Sequence, residues 1–423
     1  MQFVSTRNKA PKVSASEAIL QGLAPDGGLY VPESFPSLEY LNIHEISSYP
    51  ELAYEVLAPF FKGDVLEDDL AEICMDAFNF PVPLIQIREH QAILELYHGP
   101  TAAFKDFGAR FLACCMERLL KKQSRKLTIL VATSGDTGGA VASAFANREG
   151  IEVKVLFPKG RVSKRQKQQL TCWGGNIKAY EVDGTFDDCQ KMVKDAFMDT
   201  ELSKKWGLSS ANSINLGRLL PQSVYYVYAS YLYRQTYEKK PTFIIPSGNV
   251  GNSCAAYWAF SMGAPIDRIV LSVNANTTIP DYLADGQYTP RQSIATLANA
   301  MDVGSPSNME RLFNLYGDIE SFKKMVSAYS VDDETIKKTI KEVYEETGYI
   351  LCPHTATAER VRHDHFNDGN TIVVSTAHPA KFEQVVEPLI QAEVPVPENL
   401  AQLMGKKSDY VNVGCDYHLL FKD

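Results

Sequence analysis

The chain has 423 residues, 45% of them hydrophobic and 22% charged, and a formal net charge of −9. This is the composition of an ordinary soluble globular protein with room for two or three domains. The acidic balance argues against nucleic acid or an anionic membrane surface as the main partner. It also means that an anionic small molecule would need a local cluster of cations and amide donors.

The eight cysteines are scattered, with Cys114 and Cys115 adjacent and no CxxC pair, which is the usage of a reducing compartment. No apolar run is long enough for a signal-peptide core or a membrane span, so a cytoplasmic protein is expected. His363 and His365 have no partner at metal-ligand spacing, and no metal site is expected.

Residues 1–95 read as a mostly helical N-terminal domain, with helical patterns over Ser14–Gln21 and Ser48–Phe61 and a turn at Asp26-Gly27-Gly28. The stretch HGPTAAFKDFGAR, His98 to Arg110, then sets Lys105 beside Phe104, Phe107 and Phe111 at helical spacing. Burial among aromatic groups disfavours the ammonium and makes a lysine more nucleophilic. On physics alone, a solvated lysine on an amphipathic helix is the commoner case.

Residues 96–423 carry β-branched runs at Leu127–Thr133, Ile151–Phe157, Asn176–Val182, Thr242–Ser247, Arg268–Asn274 and Thr371–Ser375, most of them separated by helical patterns. This order predicts an α/β fold with parallel-rich sheets flanked by helices. The segment 281–370 reads as mostly helical.

In parallel sheets, ligands gather at the carboxyl ends of strands, where helix N-termini present free N–H groups. Three junctions there carry unusual residues: SGDTGG at Ser134–Gly139, PSGNVGN at Pro246–Asn252, and SANSINLGR at Ser210–Arg218. The second has exposed amides suited to a phosphate but lacks the pattern of a Walker A loop. The third offers neutral donors and an arginine able to grip an anion. Taken singly, the first reads more readily, and the second as readily, as a turn with a helix cap, and Arg218 in the third is more often a surface helix residue.

Together, and in this order, HGPTAAFKDFGARF, ATSGDTGGA, NSINLGR, PSGNVGN and TAHPAKF resemble the threonine synthase family of fold-type II enzymes dependent on pyridoxal 5′-phosphate. The opening STRNKAP and GLAPDGGLYVPE are similar to its N-terminal region. The resemblance implies a large and a small subdomain with the active site between them. It makes Lys105 the Schiff-base lysine, Gly248, Asn249, Val250, Gly251 and Asn252 the cofactor-phosphate loop, and Thr376 the hydroxyl facing the pyridine nitrogen. Asp136 would approach the phenolic oxygen.

The implied substrate is O-phospho-L-homoserine, its phosphate held by Thr137, Asn212, Ser213 and Arg218, with Asn249 close by and its α-carboxylate received by Thr133 and Ser134. The implied reaction is loss of phosphate from the γ-carbon and addition of water at the β-carbon, giving L-threonine. A monomer is expected. The competing expectations are a serine/threonine dehydratase on the same fold, which would have no phosphate to hold, and a silent cofactor-binding scaffold. The run Lys159–Lys167 reads as a solvated helix face, Tyr225, Tyr226 and Tyr228 as helix packing, and His354 as the start of a helix. His378 is given no catalytic role.

Overall fold

The computed structural model describes residues 1–423 apart from 124, 134, 368 and 423. Its strands, in chain order, are β1 (Phe3–Ser5), β2 (Tyr30–Pro32), β3 (Leu84–Arg88), β4 (Gln91–Glu95), β5 (Leu127–Ala132), β6 (Ile151–Pro158), β7 (Ile177–Val182), β8 (Leu208–Ser210), β9 (Thr242–Pro246), β10 (Arg268–Val273), β11 (Ser327–Ser330), β12 (Thr371–Ser375) and β13 (Val411–Val413). β1 and β2 form a small antiparallel pair. The others make a six-stranded sheet in the order β11-β10-β9-β12-β4-β3 and a five-stranded sheet in the order β13-β7-β6-β5-β8.

All pairings in these two sheets are parallel except β3 with β4. Every residue of β5, β9 and β12 is buried, as strands covered by helices on both faces require. The carboxyl ends of β5 and β9 lead into two of the unusual junctions, and β12 leads into Thr376.

The six strands expected from β-branched runs all form. The division expected at residue 95 does not follow the sheets. β4 pairs with β12 from Gln91↔Thr371 to Glu95↔Ser375, so the β3–β4 hairpin belongs to the six-stranded sheet. QAILE is short and has polar ends, which hid a fully buried strand.

The helical part of the N-terminal segment buttresses Lys105. The Tyr49–Phe61 helix is capped by Ser48 and buries Leu52, Val56, Leu57, Phe60 and Phe61. Ring contacts between Phe78 and Phe111 (6.0 Å) and between Phe61 and Phe111 (6.1 Å) seat this layer on the Lys105–Gln123 helix. Phe107 completes the cluster against Tyr49, Phe78, Phe80 and Tyr225. Fully burying each such ring is worth about 1.5–3 kcal/mol, so the apolar stripe beside Lys105 fixes where the helix begins.

Candidate active site

Lys105 is the first residue of its helix. The loop before it is held by Asp106, which accepts from Thr101 N at 2.8 Å and Thr101 Oγ1 at 2.7 Å. The loop is sewn to the end of β12 by Phe104 N to Thr376 O (2.9 Å) and His378 N to Ala102 O (3.0 Å). Ala102 takes a left-handed φ of 54° in this loop, a conformation that the surroundings must enforce in a residue with a side chain. Lys105 and Thr376 thereby reach one cavity.

That cavity, of about 530 Å³, is lined by Lys105, Thr133, Asp136, Thr137, Asn212, Ser213, Arg218, the whole run Gly248–Asn252, and Thr376. Ser134 lies outside the described residues. The remaining residues expected from sequence therefore converge, drawn from both large sheets.

The Lys105 ammonium makes no hydrogen bond or ion pair among the described residues and lies 5.6 Å from the Phe104 ring centroid. Burial pushes its pKa down, Asp136 pushes back, and Lys381 and Arg218 add to the fall, leaving it at about 8. Roughly one molecule in ten then carries the free amine at pH 7, against one in a few thousand for an exposed lysine.

Asp136 opens the helix Asp136–Phe145. Burial pushes its carboxyl up, but the charges of Lys381 and Lys105 overcome this and hold it well below the usual carboxylate range. Lys381 Nζ sits 2.7 Å from Asp136 Oδ1, and Gln166 Nε2 donates to the same oxygen at 3.3 Å. Gly135, at φ 144°, passes so close to Gln166 that a Cβ would lie 2.5 Å from its Nε2.

The loop Ser247–Val250 runs into the helix Gly251–Ser261. Val250 adopts φ 62°, a strained choice for a β-branched residue, and the first-turn amides of Gly251, Asn252 and Ser253 have no acceptor within the helix. A Cβ on Gly248 would lie 2.7 Å from Met301 Cα, so only glycine fits there. The Asn252 amide is oriented by two phenols: its Oδ1 accepts from Tyr225 and from Tyr226 at 2.8 Å. Its Nδ2 is left buried without a partner among the described residues. The two tyrosines expected only to pack a helix thus also aim a donor.

Arg218 is 2% exposed. Its Nη1 donates to Ala211 O, while its Nε is buried without a partner, and no carboxylate of the described residues lies within 4.0 Å. Burial lowers its pKa to about 10, so it stays charged at neutral pH. Asn249 Nδ2 donates to Ser213 Oγ at 2.7 Å and joins the 212–214 loop to the 248–252 loop. A buried cation with open donors, walled by amides and hydroxyls, is a site for an anion.

Thr133 departs from its expected role. Its hydroxyl accepts from Gly135 N (3.0 Å) and Gly138 N (2.9 Å) and donates to Gly135 O (3.1 Å), and its own N–H bonds Leu156 O. Its hydrogen-bonding capacity is spent shaping the loop. The Lys159–Lys167 run is also less solvated than expected: Gln166 is buried against Asp136, and Lys167 pairs with Glu181 at 2.7 Å.

Sequence reasoning placed His354 at the start of a helix, as the Pro353–His365 helix has it, without a place at the site, and passed over Lys381, Asn308 and Arg311. His354 lines the cavity as a neutral ring, its pKa pushed down to about 4 by burial, and its Nε2 accepts from Ala300 N at 3.1 Å. Arg311 Nη2 donates to Ile214 O (2.7 Å) and its Nε to Tyr30 O (3.1 Å), while Asn308 Nδ2 donates to Asn249 O (3.0 Å). The signal for Lys381 was its place in TAHPAKF; Asn308 and Arg311 gave none.

Residues 2–78 match the family model "Threonine synthase N terminus", residues 81–376 "Pyridoxal-phosphate dependent enzyme", and residues 355–420 "Threonine synthase, C-terminal". Over 409 residues the chain is 41% identical to the threonine synthase of Haemophilus influenzae, covering 95% of this chain and 94% of that protein. The chain belongs to the threonine synthase family. The PLP-bound threonine synthase of Brucella melitensis superposes with a TM-score of 0.91 at 34% identity, over 99% of this chain and 98% of that one. The Escherichia coli threonine synthase gives 0.89 at 36% identity over the same shares. A threonine deaminase from Solanum lycopersicum, at 19% identity, a TM-score of 0.53 and coverage of 76% and 93%, shares the fold alone.

Proposed function

We propose that this threonine synthase family member converts O-phospho-L-homoserine and water to L-threonine and phosphate. The observation that carries the reading is the buried Arg218, unpaired by any described carboxylate, in the same cavity as Lys105 and the 248–252 loop. It favours a phosphate ester over the unphosphorylated substrate of a dehydratase.

Pyridoxal 5′-phosphate suits the donor set: an aldehyde meets the Lys105 amine, and a phosphate meets the first-turn amides and the Asn252 Nδ2 beside the close-packed Gly248. When bound, it supplies an electron sink for negative charge at the substrate's α-carbon. Lys105 carries it, then holds and returns protons at the α- and β-carbons, a task suited to an amine with a pKa near 8. Thr376 would hold the ring nitrogen, and Asp136 the phenolic oxygen. Arg218, Asn212, Ser213 and Thr137 grip the substrate phosphate and the charge that builds on it as it leaves. The α-carboxylate falls to Ser134 and neighbouring amides.

The rest of the reading is a helical N-terminal segment, a catalytic region of two subdomains around the cavity, and a cytoplasmic monomer. All eight cysteines are free thiols, seven of them buried, and no helix among the described residues is long and apolar enough to cross a membrane. The deciding experiment follows phosphate and L-threonine from the cofactor-loaded protein, with Lys105→Ala as control. Equal release, abolished in the control, is expected; phosphate without threonine would reduce the enzyme to a phospho-lyase.

A further inference from the structure

Lys381 has no solvent-accessible surface. Its Nζ sits 2.7 Å from Asp136 Oδ1 and donates to Thr101 O at 2.9 Å. Thr101 lies in the loop that Asp106 clamps just before Lys105, and Gln169 Nε2 donates to the same Thr101 carbonyl at 2.9 Å. One buried ammonium therefore ties the loop before Lys105 to the carboxylate whose charge acts on that lysine.

The alternative partner for that carboxylate is Lys105. Asp136 is only 4% exposed, so water does little to satisfy it, and a buried carboxylate without a cation is costly. Its charge already acts on Lys105 in the direction that favours the ammonium, while the charges of Lys381 and Arg218 oppose it. These groups face Lys105 from three elements: the Asp136–Phe145 helix, the turn Pro379–Phe382 and the helix Leu216–Leu219. His354, from the Pro353–His365 helix, faces it as a neutral ring, and Asp106, on its own helix, is turned to Thr101.

We propose that Lys381 is a positioning residue for Lys105: by engaging the Asp136 carboxylate, it prevents that carboxylate from fixing Lys105 as an ammonium and leaves the amine available to take up the cofactor. The inference rests on the reading of Lys105 as the cofactor-carrying lysine.

The test is the pH dependence of cofactor uptake by the full-length chain stripped of pyridoxal 5′-phosphate, followed by absorbance, with borohydride trapping to locate the adduct. In the unaltered chain the uptake rate is expected to rise with pH through a midpoint near 8. Lys381→Met is expected to raise that midpoint by about one unit or more, making uptake at pH 7 about tenfold slower. Lys381→Arg keeps the midpoint, and adding Asp136→Asn to Lys381→Met brings it back down. A merely structural Lys381 would slow uptake at every pH without moving the midpoint.

An unmoved midpoint in Lys381→Met, or a double variant still as high as the single, overturns the proposal. Should Lys381→Met fail to fold, Lys381→Gln, whose amide can still donate but carries no charge, takes its place: it is expected to raise the midpoint, and an unchanged value is the overturning result. A wild-type chain that traps no adduct on Lys105 removes the underlying reading of that lysine, whereas trapping on Lys105 with an unmoved midpoint removes only the role of Lys381.

Discussion

Arg218 lines the cavity and Lys381 lies behind Asp136 in its wall; both are buried cations, and the fold treats them in opposite ways. Lys381 is matched with Asp136 at 2.7 Å and with the Thr101 carbonyl. Arg218 has one carbonyl partner, an open Nε and no carboxylate within reach among the described residues. A paired buried cation organises structure. An unpaired one keeps the cost of its lost hydration until an anion arrives, so its charge is reserved for a ligand.

The contrast is sharpest if the two cations are removed in turn. Lys381→Met removes the cation paired with Asp136 and the donor to the Thr101 carbonyl, leaving Lys105 as the remaining cation for that carboxylate, and is expected to destabilise the protein by about 3 kcal/mol, read as a fall in thermal midpoint. A loss below about 1 kcal/mol would mean that the Lys381–Asp136 pair holds little of the structure together. Arg218→Met is expected to act differently on stability, leaving the substrate-free midpoint nearly unchanged or higher, because only the Ala211 carbonyl loses a donor and no charge is stranded. It should retain the bound cofactor's colour while turnover falls by about a hundredfold or more, roughly 3 kcal/mol of transition-state stabilisation. Full turnover in Arg218→Met would take the arginine out of the site.

This pairing was only half legible in the sequence. The strand-to-helix junctions showed where a ligand would bind, because glycines, Asn pairs and an arginine at the carboxyl ends of β-branched runs carry a local chemical signal. Nothing local marks Lys381 as the partner of Asp136, since the ion pair is made only when the chain folds. Similarly, Tyr225 and Tyr226 look like packing residues until Asn252 comes within reach of their hydroxyls. The hairpin at residues 84–95 was missed because QAILE is short and its buried face is set by β12, far along the chain. Thr133 misled in the other direction, its hydroxyl being consumed by the amides of its own loop.

A gentler probe of the open cation is inorganic phosphate added to the cofactor-loaded protein. At about one hundred times its dissociation constant it should stabilise the fold by about 2.7 kcal/mol. The shift in thermal midpoint should disappear in Arg218→Met and persist in a variant altered outside the cavity, such as Lys12→Ala. An equal shift in both would place the anion elsewhere.

The smallest expected effect concerns His354, a basic side chain at the cavity that stays uncharged. His354 is pushed from 6.5 to about 4, first by burial, against the pull of Asp136, and then by the nearby Lys105 and Lys381. Because the folded value lies below the ordinary one, the unfolded chain takes up the proton first, so stability falls as pH drops through 6.5 toward 4. For this group the loss is about 2 kcal/mol by pH 5. Other groups titrate nearby: His378 is also lowered to about 4, and Asp302, raised to about 6 by burial, works with the opposite sign. The readout is therefore the difference between wild type and His354→Gln, whose amide oxygen can still accept the Ala300 N–H but binds no proton. The variant should lose less stability between pH 7 and pH 5, and identical slopes would show that His354 is already charged in the folded protein or that its burial is relieved at low pH.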